Sequence, residues 1–598
     1  VHKQLAALTL AVLASASAAV ADTAAFTIVD EAALNTAVSQ VRSEFLARHP
    51  YVTRLDATLL LPGTNGSWRR GSVGAETIAY PASCVKLAYM AAAMYWCRIN
   101  GHPYNHLDSA VRPMIVSSDN FQTGVVVDAI TGAPNYGATT QDATWQAWYN
   151  KRLFTENFLT ARGLLGNQTI MHKTYPTNSG SGLTGAEQIA FDFRNGNRMQ
   201  PKLSTSLMLE IIKGAIEPGA NAYMRELLTH PRFGEGSEFG FGLPPGSIYE
   251  NKYGQAYDTL EDIAYIVLPN GQEIFLSAFS DGYVYPETGH PLPYDTSLLG
   301  DFAERLIDHL GLCNGCPPKV IKDNNVATVT GTWSTATDVS SDYDMYGTSY
   351  RFVSGSRTTA THTISWPLSL PETGLYEVCV WFPQKDTGGS VNFVVNHAGG
   401  SSTVAVDQTS KGGRWVRLGD YQFNAGAGSV SLNNLVAKRN QVVLADAVKA
   451  TKHPSGGATP TPTSTPSPTP SPTPTATATA TPTATPTPTA VAGTVLSVGD
   501  ITMAKVNAGS GRYNATASVL VRDQNGNPVS GATVTGNWSN AVTGTVSGTT
   551  AANGRVTLTS ATKKNGGTFT FCVSGITASG ATYSSASNVE TCDSIVAP

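Results

Sequence analysis

The chain has 598 residues, 14% charged and 41% hydrophobic, with 34 Pro, 57 Gly, 7 Cys and a formal net charge of −4. One hydrophobic core stops growing near roughly 250–300 residues, so this length implies several domains. The mildly acidic balance excludes the concentrated basic surface of a nucleic-acid binder, and no apolar run reaches the roughly 20 residues of a membrane helix.

Lys3, an apolar stretch over 5–13 and Ala19-Val20-Ala21 ahead of Asp22 read as a signal peptide spanning 1–21. It implies a secreted protein, extracellular or bound to a bacterial cell wall. Residues 22–316 alternate helical and strand-like patterns. Ala33, Leu34, Val38, Val41, Phe45 and Leu46 form one stripe, which predicts a helix over 30–49 with Asp30 as its cap. Residues 53–61 and 77–80 read as strands.

Tyr80-Pro-Ala-Ser83-Cys-Val-Lys86 then opens an apolar helix running through Met90, Met94 and Ile99. Ser83 and Lys86 are three apart and share a helix face, where a neutral, desolvated lysine can take a serine proton. Met114-Ile-Val-Ser-Ser118-Asp119-Asn120 follows. Much later comes Asn251-Lys252-Tyr253-Gly254, on a strand that precedes a hairpin (262–268 and 273–279) turning at Asn270-Gly271. A last helix spans about 295–312. Helices at both ends of an antiparallel sheet predict an α+β domain.

Cys313-Asn-Gly-Cys316 closes a tight loop at the end of this domain; no second ligand pair follows at zinc spacing. Cys84 and Cys97 lie too far apart along one helix to bond each other, and Cys379 reads as a buried thiol. Residues 317–452 are strand-rich with Gly/Asn/Asp turns and predict an all-β sandwich. Residues 453–494 form a Pro/Thr-rich linker without a charge beyond Ser455, a semi-rigid polyproline spacer. Residues 495–598 carry short alternating runs and turn signals, predicting a second sandwich, in which Cys572 and Cys592 are the most plausible disulfide.

S-x-x-K (Ser83, Lys86), S-D-N (Ser118 to Asn120) and K-Y-G (Lys252 to Gly254), in that order, resemble the signature of class A β-lactamases and penicillin-binding proteins. That resemblance implies Ser83 as acylated nucleophile, Lys86 as its base, Ser118 as proton relay and Asn120 as holder of the substrate amide and Lys86. It also implies Lys252 as a positive centre, the backbone N–H groups of Ser83 and Gln255 as oxyanion hole, and Tyr253 and Gly254 as substrate-binding positions. No metal or cofactor is implied. Two departures stand out. Tyr253 replaces the usual Ser or Thr, and Tyr175, in Lys173-Thr-Tyr175-Pro-Thr-Asn178, stands where a deacylating Glu is found.

Residues 317–452, through Gly331-Thr-Trp333, Val380-Trp381-Phe-Pro and Gly412-Gly-Arg-Trp415, look like the golvesin C-terminal/xanthan lyase type of carbohydrate-binding-like sandwich. Trp333, Trp381 and Trp415 there offer either sugar-stacking faces or core packing. Residues 495–598 resemble bacterial immunoglobulin-like modules. Together these resemblances imply a secreted serine hydrolase acting through an acyl-enzyme on a β-lactam or related amide, as in antibiotic resistance, tethered to a polysaccharide or cell wall. A D-alanyl-D-alanine peptidase on peptidoglycan and a catalytically retired surface-binding protein are the alternatives.

Overall fold

A computed structural model describes residues 25–597 except 51, 174–182, 235, 283–297, 338–344, 384–387, 410–411, 437, 439, 455–493, 510–511, 524–528, 552–553, 579–580, 586–587 and 589. The signal-peptide reading, most of the linker and Tyr175 lie outside the described residues. The chain divides into two compact units that meet within the linker.

The first unit opens with β1 (Ile28–Asp30), α1 (Ala32–Arg48), β2 (Arg54–Pro62) and β3 (Trp68–Val73). A helical lobe follows: α2 (Lys86–Ile99), α3 (Asp108–Val116), α4 (Asn120–Thr131), α5 (Ala143–Arg152), α6 (Phe154–Thr160), α7 (Gly185–Arg194), α8 (Pro201–Ile212) and α9 (Asn221–Leu228). The chain then returns to the sheet as β4 (Ile248–Ala256), β5 (Thr259–Val267) and β6 (Glu273–Asp281), and closes with α10 (Leu298–His309). The sheet order is β1-β3-β2-β6-β5-β4, which leaves β4 at an edge.

Side chains alternate across a strand, so the sheet has two apolar faces. Leu59 and Leu276 join Val38, Phe45 and Phe302 of α1 and α10 on one side. Leu60, Ile263 and Phe275 join α2 and α8 on the other. Helix α2 is enclosed all round, with every residue from Leu87 to Met94 buried.

Three local expectations change. Asp30 ends β1 instead of capping α1, and its carboxylate takes two bonds of 2.6 Å from Arg70. The stretch 77–80 contributes only a bridge between Ala79 and Met199. Ser83 sits in a 3-10 turn, Ala82–Val85, and the α-helix begins at Lys86.

The rest of this unit is a β-sandwich. Its four-stranded sheet runs Val416–Phe423, Gly374–Trp381, Ala447–Lys452, Lys319–Lys322. The five-stranded sheet runs Gly400–Asp407, Ser390–His397, Ser429–Asn433, Thr363–Pro367, Thr328–Thr330.

The sugar-stacking reading of the tryptophans fails on burial: Trp333, Trp381 and Trp415 are 7%, 1% and 4% exposed. Trp333 belongs to the sandwich core. Trp381 and Trp415 pack edge to face at 5.3 Å, with Lys449 over Trp415. Arg48 of α1 lies over Trp381 at 5.6 Å and over Tyr346 at 5.4 Å. These two rings therefore join the sandwich to the α+β domain. Glu304 of α10 adds bonds from Lys319 (3.0 Å) and Lys449 (2.9 Å), and Arg232 donates to Glu377.

The second unit is a sandwich of a five-stranded and a four-stranded sheet, whose strands Gly567–Thr577 and Cys592–Ala597 carry the Cys572–Cys592 disulfide. A second disulfide joins Cys313 to Cys316 in the first unit, and Cys84, Cys97 and Cys379 are buried thiols.

Candidate active site

Three elements converge at the free edge of β4. The 3-10 turn carries Ser83, half-buried, directly ahead of α2. The α3–α4 connection carries Ser118, and β4 carries Lys252. Gly254 lets the strand approach the turn: a Cβ there would lie 2.7 Å from Pro81 O and 3.2 Å from Ala82 Cβ. The Cys84 thiol donates to Lys252 O at 3.1 Å and ties the two elements together. The backbone is strained on both sides of the site, with φ +41° at Ala82 and +54° at Ser118, a region that non-glycine residues rarely occupy.

Ser118's left-handed conformation aims both its carbonyl and its hydroxyl at Lys86. Lys86 Nζ lies 2.5 Å from Ser118 O, 3.1 Å from Ser118 Oγ and 2.8 Å from Asn120 Oδ1. Asp119 stands one residue from both motif partners and caps α4, its carboxylate accepting Gln122 N–H at 2.8 Å. Ser83 is not among the groups Lys86 bonds, so the predicted Ser83–Lys86 bond is replaced here by a Lys86–Ser118–Asn120 cluster.

Burial, reinforced by the neighbouring Lys252 charge, pushes the Lys86 ammonium down to about 6 against a weaker pull from Asp119 and Cys84. A neutral amine has two N–H groups and one lone pair. Two of its three contacts are carbonyl oxygens, which only accept, so they take both hydrogens. The lone pair is left for a hydroxyl. Ser118 Oγ–H fills it at rest, and a serine nucleophile can fill it during attack.

Lys252 is also fully buried, and burial lowers it to about 8, partly offset by Cys84, Glu238 and Asp262. It donates to Ser118 Oγ at 3.1 Å and to Tyr253 O at 2.9 Å. A continuous chain thus runs from Lys252 through the Ser118 hydroxyl to Lys86. Near neutral pH its two ends hold opposite protonation states, ammonium and amine, the separation acid–base chemistry needs.

Tyr253 does not extend into the cleft as a long substitute for serine. It is 7% exposed, and its ring lies edge to face with His230 at 6.1 Å. Behind it, on the same strand face, Asn251 donates to Asp262 (2.8 Å) and to Gly236 O (3.0 Å). Asp262 also accepts Phe239 N–H (3.2 Å) and the Tyr249 hydroxyl, and burial raises it to about 7. Glu238, with both carboxyl oxygens buried and unpartnered among the described residues, is pushed well above the ordinary carboxylate range by the same burial and by Asp262. This acidic layer was missed in the sequence. Its signal was Glu261-Asp262, two adjacent acids inside an otherwise apolar strand.

Beside the Ser83 turn lies a cleft of about 940 Å³, bordered by Tyr80, Ala82, His172, Phe191, Arg198 and Tyr257 among others. His172 is buried, both ring nitrogens are without partner among the described residues, and burial drives it to about 3. The two glutamates nearest in sequence to the expected deacylating position are committed elsewhere. Glu156 accepts Ile170 N–H and Arg194, while Glu187 accepts Arg152 and Lys173 N–H.

Residues 103–310 match the β-lactamase enzyme family and 320–452 the golvesin C-terminal domain. The first unit is therefore a β-lactamase-like α+β domain fused to a golvesin-type, carbohydrate-binding-like sandwich. The chain belongs to the golvesin family: golvesin of Dictyostelium discoideum is 37% identical over 418 residues, 68% of this chain and 71% of that protein. Xanthan lyase of a Bacillus species is 38% identical over 138 residues, 22% of this chain but only 14% of that enzyme. Among solved structures, a β-lactamase from Sphaerobacter thermophilus is 16% identical, covering 46% of this chain and 97% of that one at a TM-score of 0.32. PBP-A is 15% identical, covering 47% and 97% at a TM-score of 0.32.

Proposed function

We propose that the chain is a secreted active-site serine hydrolase that forms an acyl-enzyme at Ser83 on a β-lactam or a related peptide amide. The observation that carries this reading is Lys86: fully buried, neutral above about pH 6, and oriented by Ser118 and Asn120 one helical turn from Ser83. Lys86 takes the Ser83 hydroxyl proton as the oxygen attacks the substrate carbonyl. Backbone N–H groups of Ser83 and of Gln255, on the edge strand, receive the oxyanion. The proton passes from Lys86 through Ser118 to the leaving nitrogen, with Lys252 holding the Ser118 hydroxyl and supplying positive potential toward an anionic substrate.

Deacylation is slow in this reading, as in a penicillin-binding D-alanyl-D-alanine peptidase trapped by an antibiotic. Its support is that Glu156 and Glu187 are both held in arginine pairs. A retired surface binder is the competing reading; the intact Ser83–Lys86–Ser118–Asn120–Lys252 set speaks against it. The sandwich modules present this site at a polysaccharide or cell-wall surface. Trp381 and Trp415 are too buried to serve as sugar platforms: Trp381 takes Arg48 of α1 on its face, and Trp415 packs against Trp381 and Lys449.

Mass spectrometry of the intact protein after incubation with penicillin and with muropeptides tests the proposal. A stable adduct of penicillin mass on wild type, absent from Ser83→Ala, is the expected result. No adduct with either substrate class, together with no muropeptide turnover, selects the retired binder.

A further inference from the structure

We propose that Tyr253 is a positioning residue for Lys252: its aromatic face, not its hydroxyl, holds the ammonium against Ser118 where no carboxylate does so. The inference rests on the reading of Lys252 and Ser118 as parts of the acyl-transfer site.

Lys252 Nζ lies 3.9 Å from the centre of the Tyr253 ring, well inside the roughly 6 Å reach of a cation–π contact. Two of its three N–H groups go to Ser118 Oγ and Tyr253 O. No carboxylate forms an ion pair with it among the described residues. A buried ammonium needs compensating negative potential, and the ring face adds to what the Tyr253 carbonyl and the Ser118 hydroxyl oxygen supply.

The surroundings fix the ring in this place. Gly236, at φ +81°, leaves the space the ring fills: a Cβ there would stand 2.5 Å from Tyr253 Cε1. The His230 ring supports it edge-on at an interplanar angle of 90°. The same placement explains how the third motif tolerates a residue far larger than serine. The strand carries the side chain away from the substrate, and Lys252 folds back across it.

The titratable groups facing Lys252 come from four other elements: Cys84 of the 3-10 turn, Lys86 of α2, Glu238 and His230 of the segment between α9 and β4, and Asp262 of β5. Lys252 already titrates below an ordinary lysine. Removing the ring's negative face lowers it further, so the ammonium is lost at a lower pH and the alkaline limb of acylation moves down. A contact of this kind corresponds to about 0.4 to 1.5 pH units.

The test places Phe, 3,4,5-trifluorophenylalanine and Leu at position 253 of the full chain. Acylation rates with a penicillin are measured against pH, and Lys252 is titrated by NMR in protein labelled with [ε-13C]lysine, its signal assigned by loss in Lys252→Arg. Tyr253→Phe is expected to hold the alkaline limb and the Lys252 titration near their wild-type positions. The fluorinated ring keeps the shape but empties the π face, and is expected to move both to lower pH, with Tyr253→Leu moving them at least as far. If Phe shifts them as much as Leu, the hydroxyl carries the role and the proposal falls. If neither fluorination nor Leu moves the Lys252 titration, the ring does not hold the ammonium and the proposal also falls. Wild type that is never acylated overturns the functional reading instead, and the NMR titration still decides this inference.

Discussion

Two pairs of lysines sit in the same unit with opposite kinds of partner. Lys86 and Lys252 are 0% exposed, and among the described residues neither meets a carboxylate in an ion pair, so burial lowers both. At the domain junction, Lys319 and Lys449 converge on Glu304, which holds Lys319 above its ordinary value while the two ammoniums hold Glu304 below its own. Lys449 is enclosed almost as fully as Lys86 and Lys252, whereas Lys319 is exposed; between the enclosed lysines it is the partner that differs. A paired charge is a fastening, whereas a cation denied its anion is an acid or base ready to titrate near neutrality.

The largest effect should come from removing the unpaired base. Lys86→Met keeps the volume and the apolar contacts of α2 but removes the lone pair, and is expected to slow Ser83 acylation about 1,000-fold. Rapid-quench mass spectrometry measures it. A variant within tenfold of wild type would show that Lys86 is structural, and would erase the contrast with Lys449.

The junction is broken by Glu304→Gln. This strands the nearly fully buried Lys449 ammonium, while Lys319 keeps Asp308 at 2.6 Å, and is expected to cost about 3 kcal/mol, because an orphaned buried charge loses more than the pair contributes. Urea unfolding followed by protease accessibility of the 311–318 connection reads it. Loss of docking with the acylation rate intact would show that fastening and chemistry are separate. A single undisturbed unfolding transition would mean that Arg48 on Trp381 and Tyr346, with Arg232 on Glu377, hold the domains unaided.

The contrast sharpens in the pH profile. In the proposed mechanism Lys86 acts as the amine, so acylation is expected to rise as pH climbs through about 6. Lys252 is active as the ammonium, so acylation falls as pH climbs through about 8. A bell with these limbs is expected for acylation by penicillin. Lys252→Met should flatten the alkaline limb and leave the acid one, while Glu304→Gln should move neither.

The α+β class, the strand carrying the third motif and the hairpin after it were legible in the sequence, because apolar periodicity and an Asn-Gly turn are local signals. The three motifs were legible for the same reason. What joins them was not. The resemblance did place Asn120 against Lys86, as found, but that Lys86 bonds Ser118 in preference to Ser83 depends on a left-handed Ser118, which no periodicity encodes. Tyr253 read as a substrate-binding position with a long replacement for serine, because the direction of its ring depends on the space left by Gly236, seventeen residues earlier in the chain. Trp381 and Trp415 could be read as sugar-stacking faces or as core packing, because exposure and burial at a domain junction are indistinguishable without the facing surface. Asp30 had the composition of a cap, but Arg70 from a neighbouring strand claimed its carboxylate.

The smallest prediction concerns Asp119, which touches both sides of the contrast. It caps α4, whose first residue is Asn120, the group that orients Lys86, and its negative charge opposes the lowering of Lys86. The two roles separate by choice of substitution, since asparagine caps a helix about as well as aspartate but carries no charge. Asp119→Asn should leave thermal stability within about 0.5 kcal/mol of wild type and move the acid limb of acylation a few tenths of a pH unit down, because an uncharged neighbour no longer favours the Lys86 ammonium. Asp119→Ala should show the same shift and also lose about 1 kcal/mol with the Gln122 N–H bond. Denaturation and pH–rate measurements on the pair decide it. If Asn costs as much stability as Ala, the carboxylate is not acting as a cap. If neither moves the acid limb, Lys86 is governed by Lys252 and burial alone, and the low charge of the catalytic lysine owes nothing to the loop that carries its partners.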